Sequence, residues 1–171
     1  SVRPLDTLVF ELQDALDVSE VSMAEDPLSD DSPFSILEYE HVEGVIYIYL
    51  PRSVSKGELL RLQVTYGGDA GTGNGFFSGL SSKEDYVYGF DVTYTLSEPD
   101  HASDWFPAKQ VLEDKIDSVS ICLRCDKGLM AASNGLLKSR THEGSDELFC
   151  WESHYPMAYY LLSFTVADYR D

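Results

Sequence analysis

The stretch Ile36-Leu-Glu-Tyr-Glu-His-Val-Glu-Gly-Val-Ile-Tyr-Ile-Tyr-Leu50, "ILEYEHVEGVIYIYL", alternates apolar or aromatic residues with polar ones along most of its length. Period-two alternation puts successive side chains on opposite faces of a sheet, whereas a helix needs a period near 3.6. The residue types agree, since Val, Ile and Tyr fit a pleated, half-buried surface. We read it as a strand. Working outward, five more runs read the same way: "LDTLVFEL" (Leu5 to Leu12), "ELLRLQVTY" (Glu58 to Tyr66), "DYVYGFDVTYTL" (Asp85 to Leu96), "DSVSICLRC" (Asp117 to Cys125) and "MAYYLLSFTVADY" (Met157 to Tyr169). Turn clusters such as "EDPLSDDSP" and "LPRSVSKG" separate them, and helical periodicity is scarce. No repeat of fixed period or low-complexity tract occurs. The expectation is an all-β chain, an antiparallel β-sandwich or saddle-like domain.

With 171 residues the chain suits one domain, 1–171, able to bury a proper core. Hydrophobic residues at 43% and charged ones at 25% are the balance of a globular protein. The formal net charge is -18, from 30 acidic and 12 basic side chains. Such a surface repels phosphate backbones and anionic lipid, which argues against nucleic-acid and membrane-surface roles and for high solubility. The longest apolar runs, Gly44 to Leu50 and Met157 to Ala167, fall well short of the ~20 residues of a spanning helix, so no membrane insertion is expected. The opening "SVRPLDTLVFEL" enters strand-like material without a signal peptide, the look of a trimmed or mature segment.

Four motifs invite a chemical reading. "RTHEGSD" (Arg140 to Asp146) resembles a damaged HExxH, with His142 and Glu143 in place and Asp146 at the second ligand position. Gly144, Ser145 and Asp146 are turn formers between two strand-like runs, and without a helix positions 142 and 146 do not share a face. A solvated hairpin is the reading, not a metal site. Cys122 and Cys125 are spaced CxxC but sit on an alternating run, where residues three apart face opposite ways; with Cys150 the count is odd, so the framework is not fully paired. "GGDAGTGNG" (Gly67 to Gly75) has P-loop glycine spacing at Gly68 and Gly73, but Asn74 and Gly75 replace the Lys and Ser/Thr, and a surface loop is expected. "SDWFP", with Glu98, Asp100 and His101 upstream, is either a loop carrying binding side chains or an Asp/Ser-rich connector whose Trp105 plugs the core edge.

That last stretch brings a resemblance into view. "TLSEPDHASDWFPAKQVLEDK" (Thr95 to Lys115) resembles the T-Q-x-E-x-x-x-A-R-x-x-F-P-C-x-D-x-P-x-x-K segment of aminopeptidase N-like zinc metallopeptidases. "GLMAASNG" (Gly128 to Gly135) resembles that family's strand ending in Ser-Asn, and "YPMAYYLLSFTVADY" (Tyr155 to Tyr169) its P-M-S-T-Y-L-x-A-F-x-V-S-D-F segment. "VTYGGDAGTGNGFFSG" (Val64 to Gly79) is similar to its G-x(n)-G-F-Y-x-S loop. The likeness is strongest from Thr65 onward.

What the chain resembles is the N-terminal, non-catalytic β-domain of those enzymes. The resemblance implies a fragment of a larger metallopeptidase, with its first strands and its catalytic domain absent and the zinc ligands beyond Asp171. Of His41, His101, His142 and His154, none starts an HExxH, and no cofactor or turnover is expected of this chain alone. The implied partners are its own catalytic domain and the N-terminus of a peptide substrate. One role carries over: the acid at the fourth position of T-Q-x-E, here Glu98, grips the substrate's free α-amine by a charge-assisted hydrogen bond. The pattern also departs from the family. Leu96 stands for the Gln, Ser103 for the Arg, Ala108 for the Cys, and Gln110, Val111 and Leu112 replace the D-E-P run, which implies altered specificity. The acidic surface and the family branch imply a periplasmic or secreted bacterial protein. The competing function, from another class, is a free-standing β-sandwich module that binds glycan or a partner protein through some of its eleven Tyr.

Overall fold

The computed structural model describes residues 5–70, 79–85, 87 and 89–169. Its ladders are all antiparallel, and no closed barrel occurs among the described residues. The chain divides into two compact units, Ser1–Ala70 with Phe106–Lys109, and Gly71–Trp105 with Gln110–Asp171.

The first unit contains β1 (Leu5–Glu11), β2 (Leu16–Ala24), β3 (Phe34–Ile36), β4 (Glu38–Val42), β5 (Val45–Val54) and β6 (Leu62–Gly68). They form two three-stranded sheets, β1-β5-β4 and β3-β2-β6. Alternation in β5 sends Ile46 and Ile48 inward, where both are fully buried against Leu12, Leu16, Val21 and Leu37. Removing such side chains from water is worth roughly 1.5–3 kcal/mol each. Ala108 closes one edge through a pair of backbone bonds with Glu11 of 2.8 and 2.9 Å.

The deciding stretch is a hairpin rather than one strand. Glu43 and Gly44 both take positive φ, 51° and 74°, the geometry of a tight two-residue turn whose twist matches its strands. Alternation resumes in phase after such a turn, so period alone does not reveal the reversal. β5 also runs on through Pro51 to Val54, inside a cluster expected to be a turn; the ladder to β1 is irregular there, between Leu5 and Thr7, and tolerates the missing N–H. β2 went unforeseen. A register shift between Val18 and Glu20 breaks its alternation into two phases.

The second unit contains β7 (Leu80–Asp85), β8 (Phe90–Thr95), β9 (Val119–Asp126), β10 (Met130–Ser133), β11 (Leu136–Glu143), β12 (Asp146–Ser153) and β13 (Phe164–Ala167). The sheets are β10-β13-β8-β7 and β11-β12-β9. The Trp151 indole donates to the Ala131 carbonyl at 3.1 Å, tying β12 to β10. The run Met157 to Tyr169 is a strand only at Phe164–Ala167, because a 3-10 turn at Tyr159–Leu161 interrupts it. The run Asp85 to Leu96 likewise starts at the end of β7 and crosses a turn before β8.

Candidate functional site

The connector that follows β8 keeps strand alternation for its first residues, and that decides which side chains face out. Thr95 and Ser97 point inward and are buried, at 8% and 2% exposure. Thr95 Oγ1 accepts the Phe164 N–H at 2.9 Å, while Ser97 Oγ donates to the Leu162 carbonyl at 3.0 Å and accepts the Trp105 indole N–H at 2.9 Å. Leu96 and Glu98 therefore lie on the opposite side, and Glu98 is exposed.

The remainder of the loop is held as firmly. Asp104 Oδ2 accepts from Gly79 N at 2.9 Å and lies 3.0 Å from His101 Nδ1. Position 79 has no room for a side chain, since a Cβ would sit 2.2 Å from the His101 carbonyl oxygen. Trp105 packs edge-on against Phe164 with ring centroids 5.2 Å apart. Of the two readings of "SDWFP", Trp105, His101 and Asp104 take the structural one. They pin the loop and leave Glu98 and Asp100 facing out.

Those two carboxylates border a cavity of about 770 Å³, within the usual size of small-molecule sites. Leu96 flanks Glu98, Leu112 contributes from farther along the connector, and Tyr159 and Tyr160 form the facing wall. The Tyr159 hydroxyl donates to the Pro99 carbonyl at 3.2 Å, fixing the wall to the loop, and the rings of Tyr159 and Tyr160 meet edge to face at 5.5 Å. Glu98 forms no ion pair among the described residues. The arrangement is a partly apolar basin with two acceptor groups at its rim, suited to a cationic head on an apolar body.

The other motifs do not join this site. His142 and Glu143 end β11, where His142 Nδ1 lies 3.5 Å from Glu147 Oε1 and Glu143 pairs with Arg124 at 2.6 Å. Gly144 turns with a φ of 67°, as the hairpin reading required. Cys122 is exposed and Cys125 half-buried, on opposite faces of β9. Cys122 instead forms a disulfide with Cys150, directly across the β9–β12 ladder, a pairing that the spacing of the cysteines did not reveal. The glycine-rich stretch lies outside the described residues from position 71 onward.

No protein-family model matches the chain, and no curated protein does. Solved structures do. An M1 zinc metallopeptidase from Deinococcus radiodurans superposes at a TM-score of 0.79 and 21% identity, over 95% of this chain and 34% of that one. A mutant of that enzyme bound to a Tyr-Ser-Ala substrate gives 0.80 at 20% identity over the same shares. The fold is one found within M1 zinc metallopeptidases. A two-domain M1 zinc metallopeptidase mutant bound to L-tryptophan gives 0.76 at 20% identity, over 95% of this chain and 35% of that one. The chain thus spans about a third of the length of the M1 structures it matches. Among the described residues, no group of three or more His, Cys, Asp or Glu is placed to hold a metal ion. No described helix is long and apolar enough to cross a membrane.

Sequence reading singled out Glu98 and noted Asp100. It missed Tyr159, Tyr160 and Leu112 as neighbours of Glu98, because the tyrosines sat within an apparent strand and Leu112 stood out only as a departure from a motif.

Proposed function

We propose that the chain is the non-catalytic N-terminal β-domain of a zinc-dependent aminopeptidase. It packs on the catalytic domain and presents Glu98 to the free α-amine of a peptide substrate. One observation carries this reading: a fold that covers 95% of this chain and about a third of an M1 peptidase has Glu98 exposed at the rim of a cavity. A carboxylate that meets a primary ammonium forms a charge-assisted hydrogen bond and fixes the distance from chain end to scissile bond. Zinc, held by the catalytic domain, supplies the activated water and polarises the carbonyl. The cross-strand disulfide supports an extracytoplasmic setting, where such bonds persist.

The test is to read and express the gene beyond Asp171. An HExxH motif with a third ligand is expected downstream. In the whole enzyme, Glu98→Gln should lower kcat/KM on free-amine substrates roughly ten- to a hundredfold, from the worth of a hydrogen bond to a charged group. A downstream sequence without zinc ligands, or an unchanged kcat/KM, rejects the reading.

A second reading, a module for glycan or protein, is favoured by one feature of the first unit. The ladders set Tyr47 and Tyr49 on the outward face of β5 with Glu40 and Glu38 beside them on β4. A glycan-array screen without a hit, alongside tight association with a separately expressed catalytic domain, removes it.

A further inference from the structure

We infer that the outward face of the β1-β5-β4 sheet binds an extended segment of a partner protein whose alternate side chains read arginine, arginine, large apolar residue. The face lies wholly in the first unit, so the inference does not rest on Glu98. It gives the outward tyrosines of the second reading a partner of definite chemistry.

Alternation sorts the side chains of the three strands onto two faces. Leu8, Phe10, Tyr39, Ile46, Ile48 and Leu50 pack on the core. The opposite face is a grid fixed by the ladders. Tyr49 stands between Thr7 and Glu38, Tyr47 between Val9 and Glu40, and Val45 between Glu11 and Val42. Val9 and Val42 are each 49% exposed, and Tyr47 and Val45 join them into a continuous strip rather than scattered surface residues.

Charge decides what covers that strip. No Lys or Arg occupies any of the nine positions. Glu38 and Glu40 are exposed and form no ion pair among the described residues, and the Tyr49 hydroxyl donates to the Glu40 carboxylate. Along β4 the outward residues are therefore acid, acid, apolar: Glu38, Glu40 and Val42. Each is roughly 7 Å from the next, the spacing of alternate side chains in any extended segment. Two arginines at that spacing meet the two carboxylates in charge-assisted bonds and lie against the rings of Tyr49 and Tyr47. A third side chain, apolar, then falls on Val42 and Val45. A second copy of this chain would set the same carboxylates against each other, and nucleic acid or anionic lipid is repelled likewise. A neutral glycan can stack on the tyrosines but brings no cation to either acid.

The experiment is an NMR titration of the isotopically labelled chain with acetyl-Arg-Ser-Arg-Ser-Leu-amide. Parallel titrations use the same peptide ending in Ser, the peptide with Glu for both Arg, and laminarihexaose. The first peptide is expected to shift signals of Val9 and of residues 38–49, and the Glu peptide to shift none. Loss of the Leu side chain should weaken binding at least about threefold, from the apolar area it buries. Glu38→Gln with Glu40→Gln should weaken it about fivefold or more, the worth of two exposed ion pairs. Asp17→Asn with Glu20→Gln makes the same charge change at exposed positions of β2 and should leave binding within about twofold, because separated surface charges are screened.

Equal weakening by the two double variants reduces the effect to attraction by net charge and overturns the site. Undiminished binding of the Ser-ended peptide overturns the apolar third contact and with it the stated partner. Shifts elsewhere, or none with the arginine peptide, overturn the inference outright. Shifts of this face by laminarihexaose alone assign it to glycan instead. Each result leaves the Glu98 reading to its own kinetic test.

Discussion

The two units differ in how much polar chemistry they bury. The first closes over large aliphatic side chains, Leu12, Leu16, Val21, Leu37, Ile46 and Ile48. The second buries Phe149, Tyr159 and Leu162 with small residues, Ala102, Ala131, Ala158 and Ala167, and more polar ones, Ser81, Thr95, Ser97, Glu147 and Ser153, where the first buries Ser22. Aliphatic burial is non-directional: it rewards area and leaves the chain free in how it supplies it. Buried hydroxyls and carboxylates must find a partner at a defined distance and angle. Thr95 and Ser97 find theirs on the Leu162–Phe164 segment, and that requirement turns Glu98 outward. The candidate site lies in the unit whose interior is specified by direction.

Both tryptophans, Trp105 and Trp151, belong to the second unit, so their fluorescence reports its unfolding while far-UV circular dichroism reports both. The largest effect is expected from Ile48→Ala. A fully buried isoleucine cut to alanine costs roughly 2–5 kcal/mol in lost transfer energy and a cavity. The dichroism transition should move to lower denaturant with the tryptophan transition nearly unmoved. Equal shifts of both probes would show one cooperative whole and break the comparison.

Reduction of Cys122–Cys150 should act in the opposite sense. The bond joins residues 28 apart in sequence, and its loss should cost about 3.6 kcal/mol by the chain-entropy relation. Here the tryptophan transition is the one expected to fall. A reduced chain whose fluorescence transition stays in place would mean that the β9–β12 ladder alone holds that sheet.

The same contrast governs how much was legible in the sequence. Aliphatic alternation announced β1 and β9 nearly to their ends, because solvent-facing and core-facing residues differ in kind. The Glu43–Gly44 reversal was hidden since the period survives the turn. β2 was hidden because its alternation changes phase at the register shift. At the site, the Glu98 position was readable by resemblance, whereas the wall of Tyr159 and Tyr160 depends on a 3-10 turn within an apolar run. The disulfide was invisible for a related reason. Which cysteine faces which is a matter of register between strands, and Cys122 meets Cys150 only once Phe149 is set against Leu123.

The smallest effect, and the sharpest probe of the polar interior, concerns the free thiol of Cys125. Burial, with the nearby Glu147 carboxylate next, pushes that thiol above the ordinary cysteine range, and Arg140 opposes the shift. Glu147 lies directly opposite Cys125 in the ladder, is itself buried, and is held by Arg140. The sign follows from proton linkage. A group whose pKa is higher in the folded chain keeps its proton longer there, so its share of stability is complete below the unfolded thiol pKa and is lost as pH rises through the folded one. The folded chain should therefore be alkylated by iodoacetamide at Cys125 more slowly than the chain in denaturant at the same mildly alkaline pH. Glu147→Gln removes the carboxylate while leaving burial in place, and Arg140, 44% exposed, stays solvated. Alkylation should then quicken a few-fold, roughly the size of one modest charge interaction, with a smaller alkaline loss of stability. If the variant reacts at the parent rate, burial alone shields the thiol, and the polar interior of the second unit is electrostatically quieter than its hydrogen bonds imply.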